Sequence, residues 1–187
     1  DIRAHVDPEK PPTIKTALTS FGKLFEQDAE NHKYFLKKDR SISFKSVTQI
    51  NAEHGFGLKE EDIPKLSDES RQRLNEAAKL GSATHKTAEE VITGVVKDVM
   101  GETGYIVSDN AKDKIKEIVN SIKKYKTVNG IEPIILSEVV VSDISKGIAG
   151  TIDMVVIDGL GRVHIYDFKT HKKGFKYYMS GYKGNKS

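Results

Sequence analysis

Cysteine is absent from the 187 residues of this chain. That single absence excludes disulfides, thiolate zinc sites and cysteine nucleophiles together. It fits the cytoplasm or another reducing compartment. The chain also lacks an apolar run of membrane-spanning length, and its start lacks the basic-then-apolar pattern of a secretory signal. No membrane partner is expected. There is no internal repeat, and low complexity is confined to a basic C-terminal stretch. With 37% hydrophobic and 30% charged residues, what remains is a globular chain with a heavily charged surface, long enough for one proper core. The first residue is Asp1 rather than methionine, as expected of a fragment or a processed product.

The formal net charge of +3 is small but unevenly placed. From Lys169 to Ser187 there are six lysines and no acidic residue, with Phe175, Tyr177, Tyr178 and Tyr182 among them. Cations for phosphates and aromatic faces for bases are the ingredients of a surface for single-stranded nucleic acid. A solvated basic tail has the same composition and is the commoner case.

Apolar spacing supplies a coarse map. Asp1 to Pro12 reads as an extended leader, and Thr13 as the cap of an amphipathic helix to Glu26 carrying Ile14, Ala17, Leu18, Phe21, Leu24 and Phe25. Its stripe can pack on the rest of the chain or bind a partner, packing being preferred. Ser41 to Gln49 reads as a short strand running into a turn, and Asn51 to Lys65 as a loop stopped at Pro64. A helix is expected from Ser67 to about Val96, interrupted at Gly81. A second runs from Asp109 to Tyr125, with Ile115, Ile118, Val119 and Ile122 on one face and lysines on the other. The period then changes. Ile134–Val141, Ile148–Ile157 and Val163–Phe168 are β-branched apolar runs, the last two separated by Asp158-Gly159 and Gly161, as a tight hairpin requires. The expected class is α+β: an antiparallel three-stranded meander core, preceded and flanked by helices.

Each strand of that meander carries acid where apolar residues are the rule. Asp153 is the one polar position in Ile152–Ile157, and a carboxylate beside a core is costly unless paired, hydrogen-bonded or bound to a cation. Its structural alternative is a buried cap of the Gly150-Thr151 turn. Glu138 is the only charged residue between Pro133 and Ser142; an exposed edge position explains it equally well when it is taken alone. On the third strand Asp167 and Lys169 share a face, since side chains alternate. They read either as an edge-strand ion pair or as two parts of a catalytic site. His85 lies in GSATHKTAEEVI on the expected helix, with Glu89 one turn on. An isolated helix histidine is more often a surface residue than a ligand, although imidazole suits manganese and tolerates magnesium nearby.

In order along the chain, GSATH, the glutamate of ILSEVVV, Gly150-Thr151-Ile152-Asp153 and Asp167-Phe168-Lys169 together resemble the PD-(D/E)XK nuclease superfamily. The similarity is to its RecB-like branch, which includes CRISPR-associated, mitochondrial and phage exonucleases. SFKSVTQI, Ser43 to Ile50, resembles the leader found upstream of the histidine helix, so the likeness spans roughly residues 43 to 170. No one motif is specific; the ordered set carries the resemblance. The resemblance implies a restriction-endonuclease-like αβββ core over residues 41–187, after an N-terminal leader and helix over 1–40. It implies a nuclease that hydrolyses phosphodiester bonds of DNA with Mg²⁺ or Mn²⁺, acting as an exonuclease on single strands or duplex ends, RNA being the open alternative to DNA, in repair or recombination in a bacterial or phage-infected cell, with mitochondrion and nucleus as alternatives.

Under that resemblance, Asp153, Asp167, His85 and the Phe168 backbone carbonyl would hold the metal. Glu138 would bind a second ion or orient a water, and Lys169 would position the attacking water and stabilise the charge growing on phosphate. Glu89 would stand behind His85. Lys172, Lys173, Lys176, Tyr177 and Tyr178 would grip nucleic acid, together with the basic helix from Lys112 to Lys126. One part of the family pattern is missing. Residues 170–187 contain no glutamine for the usual Q-x-x-x-Y helix, Gly174, Gly181 and Gly184 interrupt any helix, and no further strand is expected after Lys169. The C-terminal part of the family domain is therefore expected to be absent. Two other classes stay open: a non-cutting nucleic-acid scaffold of nuclease descent, and a hydrolase using Glu138 and Asp153 as an acid–base pair.

Overall fold

The computed structural model describes residues 14–28, 33–170 and, for the backbone alone, 176–178. The leader, the Thr13 cap, Lys172 and Lys173 lie outside the described residues. The chain is α+β with a mixed sheet. In order come α1 (Ile14–Gly22), β1 (Phe25–Asp28), β2 (Lys33–Leu36), β3 (Asp39–Ser46), α2 (Val47–Glu53), a 3-10 turn at Glu60–Lys65, α3 (Asp68–Thr93), α4 (Val99–Thr103) and α5 (Asp109–Lys126). Then follow β4 (Ile134–Asp143), β5 (Ile148–Ile157), β6 (Val163–Lys169) and β7 (Lys176–Tyr178). Among the described residues no helix is long and apolar enough to cross a membrane.

The chain divides into two compact units. One comprises residues 1–67 and 139–151, the other residues 68–138 and 152–187. In the first, β1, β2 and β3 form an antiparallel set through Phe25↔Leu36 and Tyr34↔Phe44, and β3 runs parallel to the start of β5 through Lys45↔Ile148 and Ser46↔Ala149. That parallel pairing makes the sheet mixed, while the expected antiparallel pairing of β5 with β6 is present through Met154↔Tyr166 and Ile157↔Val163. Phe25, Tyr34, Phe44 and Ala149 are its buried core, with the Phe25 and Phe44 rings edge-on at 5.3 Å.

Three expectations are corrected in this unit. The first helix ends at Gly22, because Phe25 pairs across to Leu36 instead of continuing the helical stripe. Strands β1 and β2, with four residues each, carry too little periodicity to show in the sequence. The turn expected at Gln49 is the first turn of α2. Ser46 Oγ accepts from Gln49 N at 3.1 Å, and Gln49 Oε1 accepts from Ser46 N at 3.0 Å. This reciprocal capping box turns SVTQ into a helix start.

The second unit packs α3 and α5 on the later strands. Ile115, Val119 and Ile122 of α5 meet Met154 and Val156 of β5, Tyr166 and Phe168 of β6, and Ala88 of α3. Ser108 caps α5 by accepting from Ala111 N at 3.3 Å, and three lysines in its last turn oppose the helix dipole. Helix α3 runs unbroken through Gly81. A mid-helix glycine costs about 1 kcal/mol, and burial of Ala83, Thr84, Thr87 and Ala88 immediately beyond it overrides that cost. Strand β5 is buried at its last five residues, Asp153 to Ile157, and the burial continues into Asp158. Another correction falls at the C-terminal end: a further strand does follow. β7 pairs antiparallel with β6 through Asp167↔Tyr178 and Lys169↔Lys176, because β6 offers an open backbone edge and Lys-Tyr-Tyr suits extended structure.

The hairpin joining β5 and β6 is tied by one buried side chain. Asp158 Oδ1 accepts from Leu160 N and Arg162 N, and Oδ2 from Arg162 Nε at 2.7 Å and His164 Nε2 at 3.0 Å. His164 Nδ1 in turn faces the Lys126 ammonium at 3.3 Å. Beside the hairpin, Asn129 and Gly130 have φ of 53° and 78°, the two-residue reversal that favours Asn-Gly. A Cβ on Gly159 would fall 2.7 Å from Ile131 O, so glycine is required there. The His164 hydrogen bond, followed by those from Arg162 and Leu160, holds the Asp158 carboxyl well below the usual range against the opposing effect of burial. A depressed pKa contributes stability above the unfolded value of about 3.9 and loses it as pH falls toward the folded one. Asp158→Ala is expected to lower the thermal midpoint by several degrees at neutral pH. The deficit should shrink steadily in melts at about pH 3 and below.

Candidate metal centre

Three elements of the second unit converge. Helix α3 brings His85, β4 brings Glu138 and β5 brings Asp153, with one ligand atom of each within 4.8 Å of the others. His85 gets there because its helix is lined with small residues. Ala83 and Ala88 are almost wholly buried, and the hydroxyls of Thr84 and Thr87 turn back onto Leu80 O and Ala83 O. The helix can therefore approach β6 closely enough for His85 Nε2 to lie 3.2 Å from Phe168 O. The other ring nitrogen, Nδ1, is 3.5 Å from Asp153 Oδ1.

Asp153 is fixed from its other side, where Oδ2 accepts the Phe168 N–H at 2.6 Å. Phe168 thus uses its N–H on one site residue and its carbonyl on another. When Nε2 donates to that carbonyl, the neutral ring presents a lone pair at Nδ1 toward a carboxylate oxygen. Two lone pairs facing each other repel; a proton on Nδ1 or a metal ion between them removes the repulsion. A divalent ion with ligands at about 2.1 Å holds neighbouring ligand atoms ~3 Å apart and opposite ones ~4 Å apart. The observed group, with its ligand atoms within 4.8 Å of one another, is slightly wider. The donor set, one imidazole and two carboxylates, could hold a divalent metal ion.

Glu138 reaches the group at a backbone cost. Its φ is 50°, and among the described residues only Asn129, in the tight turn, is another non-glycine with positive φ. A left-handed glutamate inside a strand costs on the order of 1–2 kcal/mol. Such strain persists where surrounding structure demands it, and here it delivers a carboxylate to the cluster. Electrostatics show the same tension. Burial, and then repulsion from Asp153 and Glu89, push the Glu138 carboxyl above its usual range, with His85 opposing. Burial, and then Asp167, push Asp153 up, opposed by His85, the Phe168 N–H and Lys169. Two carboxyls that resist ionisation side by side are a place where a cation is stabilising.

The remaining expected residues fall as follows. Asp167 lies outside the three-residue group, on β6 beside it, with its carboxylate 3.0 Å from Lys169 Nζ; both side chains are at least half exposed. The surface ion pair and the neighbourhood of the acidic cluster therefore coexist. Phe168 O is engaged by His85. Glu89, one turn beyond His85, is paired with Lys97 at 2.9 Å. The basic side of α5 is partly committed within the chain: Lys112 to Glu90, Lys116 to Asp113 and Lys123 to Glu132. Lys176, Tyr177 and Tyr178 form β7 next to Asp167–Lys169 in backbone register. Lys97 carried no signal in the sequence, since an isolated lysine between two valines and an aspartate matches no motif.

The fold and its acidic cluster define the chain as an α+β protein with a candidate divalent-cation site. Compared with protein-family models, with curated proteins and with solved structures, it matches none of them.

Proposed function

We propose that the chain is a divalent-metal-dependent nuclease of the PD-(D/E)XK kind, RecB-like in its motif order, hydrolysing phosphodiester bonds of DNA. The observation that carries this reading is the convergence of His85, Glu138 and Asp153 beside the Asp167-Phe168-Lys169 strand. His85, Glu138 and Asp153 would hold Mg²⁺ or Mn²⁺, joined by Asp167 once it leaves Lys169. When bound, the cation would lower the pKa of a coordinated water and offset charge on the scissile phosphate.

The chain's own residues have distinct tasks. Asp153 is oriented by the Phe168 N–H, so its second oxygen stays aimed at the cluster. His85 is held by its small-residue helix and the Phe168 carbonyl. Lys169 offers a largely exposed ammonium, paired with Asp167 two residues away on the same face. That ammonium can turn to a phosphate oxygen and stabilise the charge that grows there. Lysines and tyrosines of the C-terminal stretch would hold the phosphate backbone and bases.

Incubation of single-stranded and duplex DNA, and of RNA, with the protein in Mg²⁺, Mn²⁺ or EDTA tests the reading. Metal-dependent cleavage that EDTA abolishes is the expected result. Tight binding without cleavage in either metal would instead identify a non-cutting scaffold. No binding of any nucleic acid would defeat both readings.

A further inference from the structure

Lys97 lies between α3 and α4, outside every motif that suggested the nuclease. Its Nζ sits 2.9 Å from Glu89 Oε1, and the two side chains are only 25% and 20% exposed. An ordinary surface pair of this chain, Lys45 with Glu53, is 58% and 50% exposed. The position of Lys97 is also built rather than accidental. Its backbone N–H donates to Glu90 Oε2 at 3.3 Å, while Lys112 of α5 binds the other oxygen of the same carboxylate. Glu89 stands one turn from His85 and is near enough to Glu138 to raise its pKa. Lys97 is held protonated mainly by Glu89, with smaller effects from Glu102 and Glu138.

Charge counting gives this pair a role. One divalent cation and Lys169 together balance Glu138, Asp153 and Asp167, whether Asp167 stays on Lys169 or joins the cation. Glu89 is then a further carboxylate within electrostatic reach of Glu138, beside a site that would have to admit an anionic phosphodiester. An uncompensated carboxylate there would repel the phosphate and attract a further cation. Resting on the proposed metal centre, we propose that Lys97 is a positioning residue: it neutralises Glu89 and keeps it off the His85–Glu138–Asp153 cluster, so that a phosphate, not a second cation, takes the place beside the first.

Calorimetric titration of Mn²⁺ into the full chain tests this directly. Lys97→Met keeps the aliphatic stem and removes the charge. It should bind Mn²⁺ roughly three- to tenfold more tightly, or take up an additional equivalent. Binding of a non-cleavable phosphorothioate oligonucleotide should weaken in the same variant. Glu89→Gln should do the reverse to Mn²⁺ and weaken it, because Lys97 is left unopposed. Lys97→Arg should behave as wild type, and Lys97→Met with Glu89→Gln should return Mn²⁺ affinity toward the starting value. A pair that served folding alone would weaken metal binding in both single variants, or move neither; either outcome overturns the proposal while leaving the metal centre standing. A wild-type chain that takes up no Mn²⁺ at all removes the metal centre and this proposal with it.

Discussion

Asp153→Asn is expected to abolish metal-dependent cleavage and, at the same time, to make the metal-free protein more stable. Cleavage should fall by at least the ~10²–10³-fold lost with a single well-placed electrostatic group. The stability gain follows from burial. The Asp153 carboxyl has a pKa raised first by desolvation and then by Asp167. A raised pKa contributes stability that is complete below the unfolded value of about 3.9 and is lost as pH rises through the folded value. At neutral pH the metal-free protein therefore bears the cost of a buried carboxyl that resists ionisation. Asparagine carries none, and its carbonyl oxygen can still accept the Phe168 N–H that Oδ2 accepts now.

A gain of about 1 kcal/mol is typical when a functional site is relieved in this way. Urea unfolding with EDTA at neutral pH should show it, and the difference between the two proteins should vanish at about pH 3. Mn²⁺ should reverse the order. At a hundred times its dissociation constant it would stabilise the wild type by about 2.7 kcal/mol and the variant scarcely at all. Unchanged cleavage by Asp153→Asn would sink the metal reading; a loss of stability in EDTA would show that Asp153 is held by something other than a missing cation.

Phe168→Ala should be among the most damaging single substitutions in the second unit. The ring is 2% exposed and sits among Ile115, Val119, Met154 and Tyr166. Removing it should cost about 3–5 kcal/mol, the transfer term plus a cavity that β6 cannot close. Its neighbours in sequence are Asp167 and Lys169, and its backbone holds both Asp153 and His85. A change with no charged atom in it thus reaches the site through β6. Phe168→Leu, which leaves a smaller void, should keep the fold while loosening the cluster. The expected sign is weaker Mn²⁺ binding at nearly native circular dichroism. Native stability of Phe168→Ala in urea would mean that this face of β6 is not part of the core.

Much of this could be read in the sequence because it follows local rules. The apolar stripe of α5 and the buried run of β5 are periodic signals, and Asp158-Gly159 with Gly161 marks the hairpin between β5 and β6 by its backbone needs. The oddity of Asp153 was equally legible, since a lone acid in a strand apolar on both faces asks for a partner. Other elements were not. β1 and β2 are too short to show a period, the parallel pairing of β3 with β5 joins residues about a hundred positions apart, and β7 depends on an edge that only β6 provides.

The site divides along the same line. Residue types and their order are properties of the chain, so His85, Glu138, Asp153, Asp167 and Lys169 could be picked out without coordinates. Which of them meet is a property of packing. Tertiary structure drew Glu138 into the group by a left-handed backbone, left Asp167 paired with Lys169, and set Lys97 against Glu89. Local propensity and periodicity act over a few residues. The direction of a carboxylate, and the cation that faces it, are decided by contacts between elements far apart in the chain, and no pattern in the sequence records those.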